Sequence, residues 1–224
     1  MKLLFVEAKA KKDVVKGLEK NISNISCKNI GLIATVQFAS QLPLIKKSLQ
    51  MKGFKVFIGK PKGPAVLEGQ ILGCDVSAAL AVEKHVECFL YIGTGDFHPT
   101  GLLAKTSKPI YIYDPFTEQI RLLPEAEKQK LWKRKILMIA KFKDAKTIGI
   151  LVSMKPGQFC ANAENVKESL EKQGKRVYLF VCDSITNTEL MNFPHIEAWV
   201  NTACPRIAED EFSRPLVNAI DLNL

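Results

Sequence analysis

The sequence contains no long apolar run. No stretch of the 224 residues approaches the about 20 consecutive apolar residues that a membrane-spanning helix needs. The apolar start of the chain is too short for a secretory signal, because Glu7 and Lys9 follow it at once. Hydrophobic residues make up 47% and charged residues 25%, as in ordinary globular proteins that bury a sizeable core. We therefore expect a soluble, cytoplasmic protein with no membrane partner.

An aromatic–basic motif of the kind found in nucleic-acid-binding proteins is also absent. The net charge is +9, from 32 Lys and Arg against 23 Asp and Glu, and such a balance can steer a protein toward acidic partners or RNA. The lysines, however, are spread over helix faces with glutamates between them, as in residues 164–175. This pattern favours solvated helix faces over a nucleic-acid groove, so we expect no direct nucleic-acid partner.

The six cysteines show no C-x-x-C spacing. Without a secretory signal we expect them not to form disulfides, and most should be small buried hydrophobic residues. Cys74 and Cys204 stand apart: Gly73 leaves room around the first thiol, and Arg206 is a cation that can favour the thiolate of the second. By spacing alone, however, two unrelated buried cysteines would be the commoner explanation. The others have no comparable setting: Cys27, Cys88, Cys160 and Cys182.

Short apolar runs alternate with amphipathic helical patterns along the chain, which is typical of parallel α/β layers. Strands are predicted at Leu3–Glu7, Gly31–Val36, Lys55–Ile58, Cys88–Ile92, Ile110–Tyr113, Thr147–Val152, Val177–Val181 and Ala198–Asn201, with Leu216–Asn218 as a further candidate. Helices are predicted near Lys11–Asn21, Ser40–Lys52, Thr100–Thr106, Glu125–Asp144 and Ala161–Gln173.

The two halves of the chain form a weak repeat. In each half an apolar strand leads through a helix to a helix-ending glycine, Gly53 or Gly174, and then to another strand. The sequence therefore predicts an α/β fold of two similar small parallel-sheet βα domains in tandem, with a cavity between them. We place the domains at residues 1–122 and 123–224, connected by the helix at Glu125–Asp144.

The segments that follow the predicted strands are chemically unusual, and ligands of open parallel sheets bind beyond the carboxyl ends of strands. Residues 93–101 form a glycine-rich loop whose amides can approach an anion, although its spacing is neither that of a P-loop nor that of a dinucleotide fingerprint. Residues 153–158, Asp114-Pro115 and Cys182-Asp183 follow other strands. Turn chemistry explains each of these alone. Four such ends in one chain favour a binding site.

Five strings occur in order along the chain: Gly-Gln-Ile-Leu-Gly-Cys at 69–74, Tyr-Ile-Gly-Thr-Gly-Asp-Phe-His-Pro at 91–99, Tyr-Asp-Pro at 113–115, Ser-Met-Lys-Pro-Gly-Gln at 153–158 and Ala-Cys-Pro-Arg at 203–206. Together they resemble the diphthamide synthesis family of archaea and eukaryotes, the 2-(3-amino-3-carboxypropyl)histidine synthases. The likeness spans nearly the whole chain.

The resemblance implies three similar α/β domains around a central cavity, each giving one cysteine to a 4Fe–4S cluster whose fourth iron site is left for S-adenosylmethionine. An electron from the cluster cuts a carbon–sulfur bond of the sulfonium and releases a 3-amino-3-carboxypropyl radical. That radical adds to an imidazole carbon of one histidine in translation elongation factor 2. Archaeal members are homodimers and eukaryotic members pair two paralogous subunits, so a homo- or hetero-dimer is expected.

The resemblance also assigns residues. Cys74 and Cys204 would be the cluster ligands of the second and third domains, since soft thiolates hold iron–sulfur clusters. Lys155 is the candidate for the carboxylate of the S-adenosylmethionine methionyl group, because a compact cation suits an anion. No catalytic residue is assigned beyond the cluster. Loop position gives the lining of the S-adenosylmethionine side as Lys155 with Gly93, Gly95, His98, Ser153, Gly157, Gln158, Gln37 and Asp183.

The sequence departs from the family pattern at its start. Family members begin with another α/β domain that carries a cysteine, whereas residues 1–7 here correspond to the start of the second domain. We therefore expect a separate subunit or domain to supply the third cluster cysteine, and we expect Cys74 and Cys204 to face one shared cavity. The alternative is a non-catalytic partner or scaffold subunit of the same system. A generic nucleotide-binding α/β protein has little support, since no phosphate motif is intact.

Overall fold

The structure is a computed structural model that describes residue 6, residues 8–155 and residues 163–222. The chain separates into two compact units, Met1–Lys128 and Gln129–Leu224. Each unit is built around its own sheet.

The first unit has a sheet with strand order β2-β1-β3-β4-β5. The first four strands are parallel, and β5 pairs antiparallel with β4 at the edge. Its elements are α1 (Val15–Asn21), β1 (Asn29–Ala34), α2 (Val36–Ala39), α3 (Leu42–Met51), β2 (Lys55–Phe57), α4 (Ser77–Leu80), β3 (Cys88–Ile92), α5 (Phe97–Leu103), β4 (Ile110–Asp114) and β5 (Gln119–Leu122), with 3₁₀ turns at Ile22–Asn24 and Glu83–His85.

The sheet of the first unit is covered on both faces. All five residues of β3 are buried, as expected of a parallel strand with helices on either side. Successive side chains of a strand point to opposite faces. Accordingly Leu90 packs in the core cluster that contains α1 and α3, while Phe89 and Tyr91 pack in the cluster that contains α5. The central strands are thereby fixed by burial of apolar surface on two sides.

The second unit has a sheet with strand order β7-β6-β8-β9 in which all pairs are parallel. Trp199 of β8 is buried and packs edge-on against Phe180, with ring centroids 4.9 Å apart. The elements are α6 (Glu125–Asp144), within which the boundary of the two units falls, β6 (Thr147–Ser153), α7 (Ala163–Lys172), β7 (Arg176–Cys182), α8 (Asn187–Met191), β8 (Ala198–Asn201) and β9 (Leu216–Asn218), with 3₁₀ turns at Pro205–Glu209 and Ala219–Asp221.

The predicted fold class, two parallel-sheet α/β domains in tandem, is confirmed. The cavity between the domains and the boundary at residue 122 stay predictions. Helix α6 and strands β3, β8 and β9 have the predicted bounds, and the helix predicted at Ser40–Lys52 is α3. The strand predicted at Gly31–Val36 ends earlier, at Ala34, and helix α2 begins at Val36. The strand predicted at Leu3–Glu7 lies outside the described residues except for Val6, which is in neither a helix nor a strand. Among the described helices, none is long and apolar enough to cross a membrane.

Three helices and one strand were not predicted: α2, α4, α8 and β5. Strand β5 is the clearest case, because its residues are mostly exposed and its apolar pattern is therefore weak. It is an edge strand that reaches β4 through a hairpin turn in which Glu118 has a φ of 56°. A short, polar edge strand of this kind has the sequence pattern of a loop. It is stabilised by pairing with a single neighbouring strand, here β4, and this pairing is not visible in the local sequence.

The expectation that the cysteines form no disulfide is wrong for Cys27 and Cys88, which are bonded to each other. Their Cα atoms are 6.3 Å apart, within the usual range for a disulfide. The cause is the parallel pairing of Ile30 with Cys88, which brings the segment before β1 alongside the start of β3. Cys74, Cys182 and Cys204 lie outside this bridge.

This bridge generates a stability prediction. Because it joins residues separated by 61 positions, its loss should lower the free energy of unfolding of the first unit by up to about 4 kcal/mol. The measurement is urea denaturation of protein purified without reductant, before and after reduction, with Cys27→Ser as a variant and Cys182→Ser as the matched control. Peptide mapping after denaturation without reductant should recover Cys27 and Cys88 cross-linked, and recovery of both as alkylated thiols would contradict the bridge.

Candidate functional site

The carboxyl ends of β1, β3 and β4 lie at one edge of the first sheet, because these strands are parallel. The segment containing Gln70 extends this edge. Gln70 forms a parallel bridge with Ala34, the last residue of β1: Ala34 N donates to Gly69 O at 2.9 Å and Ile71 N donates to Ala34 O at 2.9 Å. The turn that carries Cys74 therefore begins at the edge where ligands of parallel sheets bind.

The Cys74 turn exposes its thiol and buries its neighbours. Cys74 is exposed, whereas Ile71 and Asp75 on either side are buried. The backbone of the turn is closed by a hydrogen bond from Leu72 N to Asp75 O at 2.8 Å. The thiol is thus presented to solvent by a turn whose flanks are anchored in the unit.

Two buried polar side chains hold this turn. The Asp75 carboxylate accepts hydrogen bonds from Ser77 Oγ at 2.6 Å, from Ser77 N at 3.0 Å and from Ala65 N at 3.0 Å. Burial alone would raise the pKa of the Asp75 carboxyl, but the bonds from Ser77 and Ala65 outweigh it and leave the pKa below its usual value. Gln70 Oε1 accepts from the amides of Val66 and Leu67 at 3.0 and 2.9 Å. Both buried groups are satisfied, which makes the turn rigid.

Helix α5 packs directly on the Cys74 turn. A Cβ atom placed on Gly101 would lie 2.5 Å from the carbonyl oxygen of Gly73, closer than a carbon can approach. Glycine is required here because the helix and the turn touch backbone to backbone. The glycine-rich loop before α5 and the Cys74 turn therefore form one packed structure.

The loop between β3 and α5 carries the predicted residues Gly93, Gly95 and His98. Gly95 has a φ of 65°, a conformation that favours glycine, and His98 Nδ1 lies 3.4 Å from the hydroxyl of buried Tyr91. Burial raises the pKa of Tyr91 far above its usual value, and the carboxylates of Asp96 and Asp114 add to the rise, so the hydroxyl stays protonated.

Two further polar groups lie beside this loop. Asp96 forms an ion pair with Arg121 of β5. Gln37 lies just beyond the end of β1, exposed, with its Oε1 accepting from Thr35 Oγ1 at 3.2 Å. The structure thus brings Gln37, Gly93, Gly95 and His98 to the same edge as the Cys74 turn. Their role in binding S-adenosylmethionine stays a prediction.

In the second unit the predicted residues follow the carboxyl ends of three parallel strands. Ser153 ends β6 and is paired in register with Cys182, the last residue of β7, which Asp183 follows. Lys155 is exposed, and its amide donates to Ser153 Oγ at 3.1 Å. Cys204 follows β8 at the same edge. The predicted residues Gly157 and Gln158 lie outside the described residues.

The Cys204 turn is held by Asn201, the buried last residue of β8. Its side-chain nitrogen donates to Cys204 O at 2.9 Å and to Asn218 Oδ1 at 2.7 Å, while its Oδ1 accepts from Ala203 N at 3.0 Å. Thr202 Oγ1 adds a bond to Leu151 O at 2.7 Å, which joins the turn to β6. One buried amide thereby fixes both ends of the turn that carries the thiol.

The surroundings of Cys182 and Cys204 differ. Burial raises the pKa of the Cys182 thiol, and the carboxylates of Glu189 and Asp183 raise it further, so Cys182 favours the protonated form that binds metals poorly. The guanidinium of Arg206 forms an ion pair with Glu209. Its predicted influence on the thiol of Cys204 stays a prediction.

Sequence reasoning missed the residues that support the two turns: Gln70, Asp75, Gly101 and Asn201. A signal for three of them was present, since a polar residue or a glycine inside or directly beside an apolar run often marks a turn or a close approach. Gln70 lies beside Ile71-Leu72, Asn201 ends the run Ala198–Val200, and Gly101 precedes Leu102-Leu103. Asp75 could be found only from its contacts.

An iron–sulfur cluster requires several cysteine thiolates as ligands. Within the described part of the chain, no group of three or more His, Cys, Asp or Glu side chains could hold a metal ion. Each unit instead offers one cysteine, Cys74 or Cys204, in a rigid turn at the carboxyl edge of its sheet. Thiolates are the ligands of iron–sulfur clusters. Cys74 and Cys204, each within its own unit, therefore have the side-chain chemistry that an iron–sulfur cluster uses.

A family model for diphthamide synthesis proteins matches residues 1–224 of the chain. The chain belongs to this family. Two curated members are similar to it: the 2-(3-amino-3-carboxypropyl)histidine synthase of Pyrococcus horikoshii is 37% identical over 213 residues, and subunit 1 of the synthase from Schizosaccharomyces pombe is 30% identical over 232 residues. The match covers 93% and 97% of this chain but 60% and 51% of those proteins. The chain thus spans little more than half the length of these relatives.

Two solved structures of the family are also similar. The crystal structure of Dph2 from Pyrococcus horikoshii matches with a TM-score of 0.85 and 32% sequence identity, over 96% of this chain and 62% of that one. Dph2 from the same organism has also been solved with a 4Fe–4S cluster, and that structure matches with a TM-score of 0.84. The diphthamide synthesis fold is therefore shared over almost all of this chain.

The close approach of α5 to the Cys74 turn predicts the effect of Gly101→Ala. Alanine favours helices, but its methyl group must push the helix away from Gly73, so the free energy of unfolding should fall by about 1–3 kcal/mol. The alkylation rate of Cys74, measured by timed iodoacetamide labelling and peptide mass spectrometry, should change several-fold. Gly95→Ala is the matched control, because it strains the loop but meets no atom within 4 Å. Equal effects of the two variants on Cys74 would contradict the packing role.

The hydrogen bonds of the Asn201 side chain with Cys204 O, Asn218 Oδ1 and Ala203 N, which we call the Asn201 clasp, predict the effect of Asn201→Asp. A carboxylate cannot donate to Cys204 O and Asn218 Oδ1, so two acceptors lose their donor and the stability should fall by about 2–3 kcal/mol. The same labelling experiment should show Cys204 reacting several-fold faster. Asn192→Asp, an exposed asparagine of the same unit, serves as the control. An unchanged Cys204 rate in a folded Asn201→Asp protein would show that the amide does not hold the turn.

Proposed function

We propose that this chain takes part in the first step of diphthamide biosynthesis, the transfer of a 3-amino-3-carboxypropyl group from S-adenosylmethionine to a histidine of translation elongation factor 2. One observation carries the proposal. Cys74 and Cys204, one in each unit, each lie in a turn that buried polar side chains hold at the carboxyl ends of parallel strands. The names of the relatives, histidine synthases from an archaeon and a yeast, support it.

The two cysteines would hold a 4Fe–4S cluster, as supported by the cluster in Dph2 from Pyrococcus horikoshii. Since such clusters need more than two thiolates, at least one more comes from outside these two positions, in our proposal from a partner subunit or domain. When bound, the cluster supplies one electron to the sulfonium of S-adenosylmethionine. The turns keep the thiols of Cys74 and Cys204 in place before any metal binds, which lowers the entropic cost of ligation.

The remaining residues would bind and orient S-adenosylmethionine. Lys155 offers an exposed ammonium for the methionyl carboxylate at the carboxyl edge of the second sheet. In the first unit the amides around Gly93 and Gly95 can approach a polar ligand closely, since glycine leaves the backbone open. His98, next to the protonated hydroxyl of Tyr91, presents an imidazole beside that loop. Ser153, Asp183 and Gln37 complete the proposed lining.

The overall reaction is redox-neutral. One carbon–sulfur bond of the sulfonium breaks, and one carbon–carbon bond to the imidazole of the target histidine forms. The sulfonium leaves as a thioether, and the imidazole carbon loses its hydrogen as a proton while the electron that opened the sulfonium is recovered. The partners in this proposal are elongation factor 2 and the subunit that completes the cluster, in a homo- or hetero-dimer in the cytoplasm.

A second candidate is a non-catalytic subunit that docks on a catalytic partner. It is favoured by the absence, in the described residues, of any group of three or more metal-binding side chains. Isothermal titration with S-adenosylmethionine distinguishes the two functions, because a scaffold subunit should bind none in any assembly. Specific binding that weakens in Lys155→Ala would support the transferase.

The cluster proposal predicts which cysteines control iron loading. After anaerobic addition of iron and sulfide to the chain co-expressed with the N-terminal domain of the Pyrococcus synthase, the visible absorption of a 4Fe–4S cluster should develop. Cys74→Ala or Cys204→Ala should lower the iron content several-fold, because each removes a ligand. Cys182→Ala is the control and should load normally. A full cluster in the Cys74→Ala, Cys204→Ala double variant would end the proposal.

A further inference from the structure

Helix α6 exposes most of its surface. It has 20 residues, of which only Phe142 is buried. One face packs on the second unit through the partly buried side chains of Met138 and Ile139. Large apolar side chains elsewhere on the helix remain exposed: Trp132 by 59%, Ile136 by 50% and Leu137 by 49%.

The exposed apolar residues form a stripe. Trp132, Ile136 and Ala140 are four residues apart, so they lie one above the other on a helix, and Leu137 lies beside them. Ala140 is exposed as well. We call these four residues the α6 stripe. A contiguous exposed apolar stripe with helical spacing is a surface that an amphipathic helix of another protein can cover.

Basic side chains accompany the α6 stripe. The helix contains seven basic residues and three acidic ones in the sequence EAEKQKLWKRKILMIAKFKD. Lys133, Lys141 and Lys143 are exposed, and no ion pair between described residues engages them. Lys135, by contrast, is paired with Asp221 at 2.7 Å. The stripe is therefore apolar in its middle and positively charged beside it.

We propose that the α6 stripe docks an acidic amphipathic segment of a partner protein. Apolar side chains of the segment would cover Trp132, Ile136 and Leu137, and its carboxylates would lie by Lys133 and Lys141. A second copy of this chain fits worse, because two α6 helices face to face would bring like charges together. Single-stranded RNA would neutralise the lysines but leave the aliphatic side chains without an apolar partner. This inference does not depend on the proposed enzymatic function.

The two tryptophans of the chain make docking measurable. Trp132 is 59% exposed and Trp199 is 1% exposed, so a change in polarity at the helix surface alters the emission of Trp132 alone. The probe is a synthetic helical peptide with leucines at every third and fourth position and glutamates beside them. Binding should shift the emission of the full chain to shorter wavelength in a saturable way and should weaken as salt is added.

Variants locate the binding surface. Lys133→Glu with Lys141→Glu, and separately Ile136→Ser, should each weaken peptide affinity by about tenfold or more, because they reverse the charge or remove the apolar contact. The matched control is Leu44→Ser with Lys47→Glu on α3, a helix that also exposes a leucine and a lysine. The control should bind the peptide as the original chain does, and circular dichroism should show every variant folded.

Three results would overturn the proposal. The first is equally tight binding of a control peptide, either one of the same composition with its leucines out of helical spacing or one with lysines in place of glutamates. Either control would show that the peptide does not recognise the α6 stripe. The second is that single-stranded RNA binds more tightly than the acidic peptide and that the Lys133→Glu, Lys141→Glu variant no longer binds the RNA. This result would assign the surface to nucleic acid. A dimer in analytical ultracentrifugation that Ile136→Ser abolishes would assign it to a second copy.

Discussion

Parallel pairing of neighbouring strands is the constraint on which the candidate site depends. In the first unit β1, β3 and β4 run in the same direction, and in the second unit β6, β7, β8 and β9 do so. Segments that are distant in sequence therefore emerge at one edge of each sheet. The edge collects a cysteine turn and several polar loops, which no single stretch of sequence could bring together.

Buried polar side chains make that edge rigid. Asp75 and Asn201 are removed from water, which costs free energy unless every polar atom finds a partner. Asp75 accepts three hydrogen bonds, and the amide of Asn201 makes bonds on both its nitrogen and its oxygen. Each residue satisfies backbone groups of a turn that would otherwise be loose. These hydrogen bonds hold the backbone around the two thiols in place, which is the geometry that the proposed ligand role requires.

The two units use different edge strands to support the loops at the carboxyl ends of their sheets. The first sheet ends in the short antiparallel strand β5, whose Arg121 pairs with Asp96 at the start of α5. The second sheet ends in β9, which remains parallel and contributes Asn218 to the Asn201 clasp. In both units the edge strand thus supports the loops of the carboxyl edge. Helix α6 differs from these elements, since most of its surface faces solvent and its basic character accounts for part of the net charge of +9.

The sequence by itself determined the fold class, most strand and helix positions, the family and the two cysteines of interest. These follow from local apolar patterns and from strings of residues that are adjacent in the chain, and burial then enforces the apolar pattern, as in β3. Only the tertiary structure decided the Cys27–Cys88 bridge, the edge strand β5, the contact of Gly101 with Gly73 and the clasp of Asn201. Each of these arises from the folded backbone bringing particular groups into contact, and the pattern of apolar residues carries no record of which groups will meet.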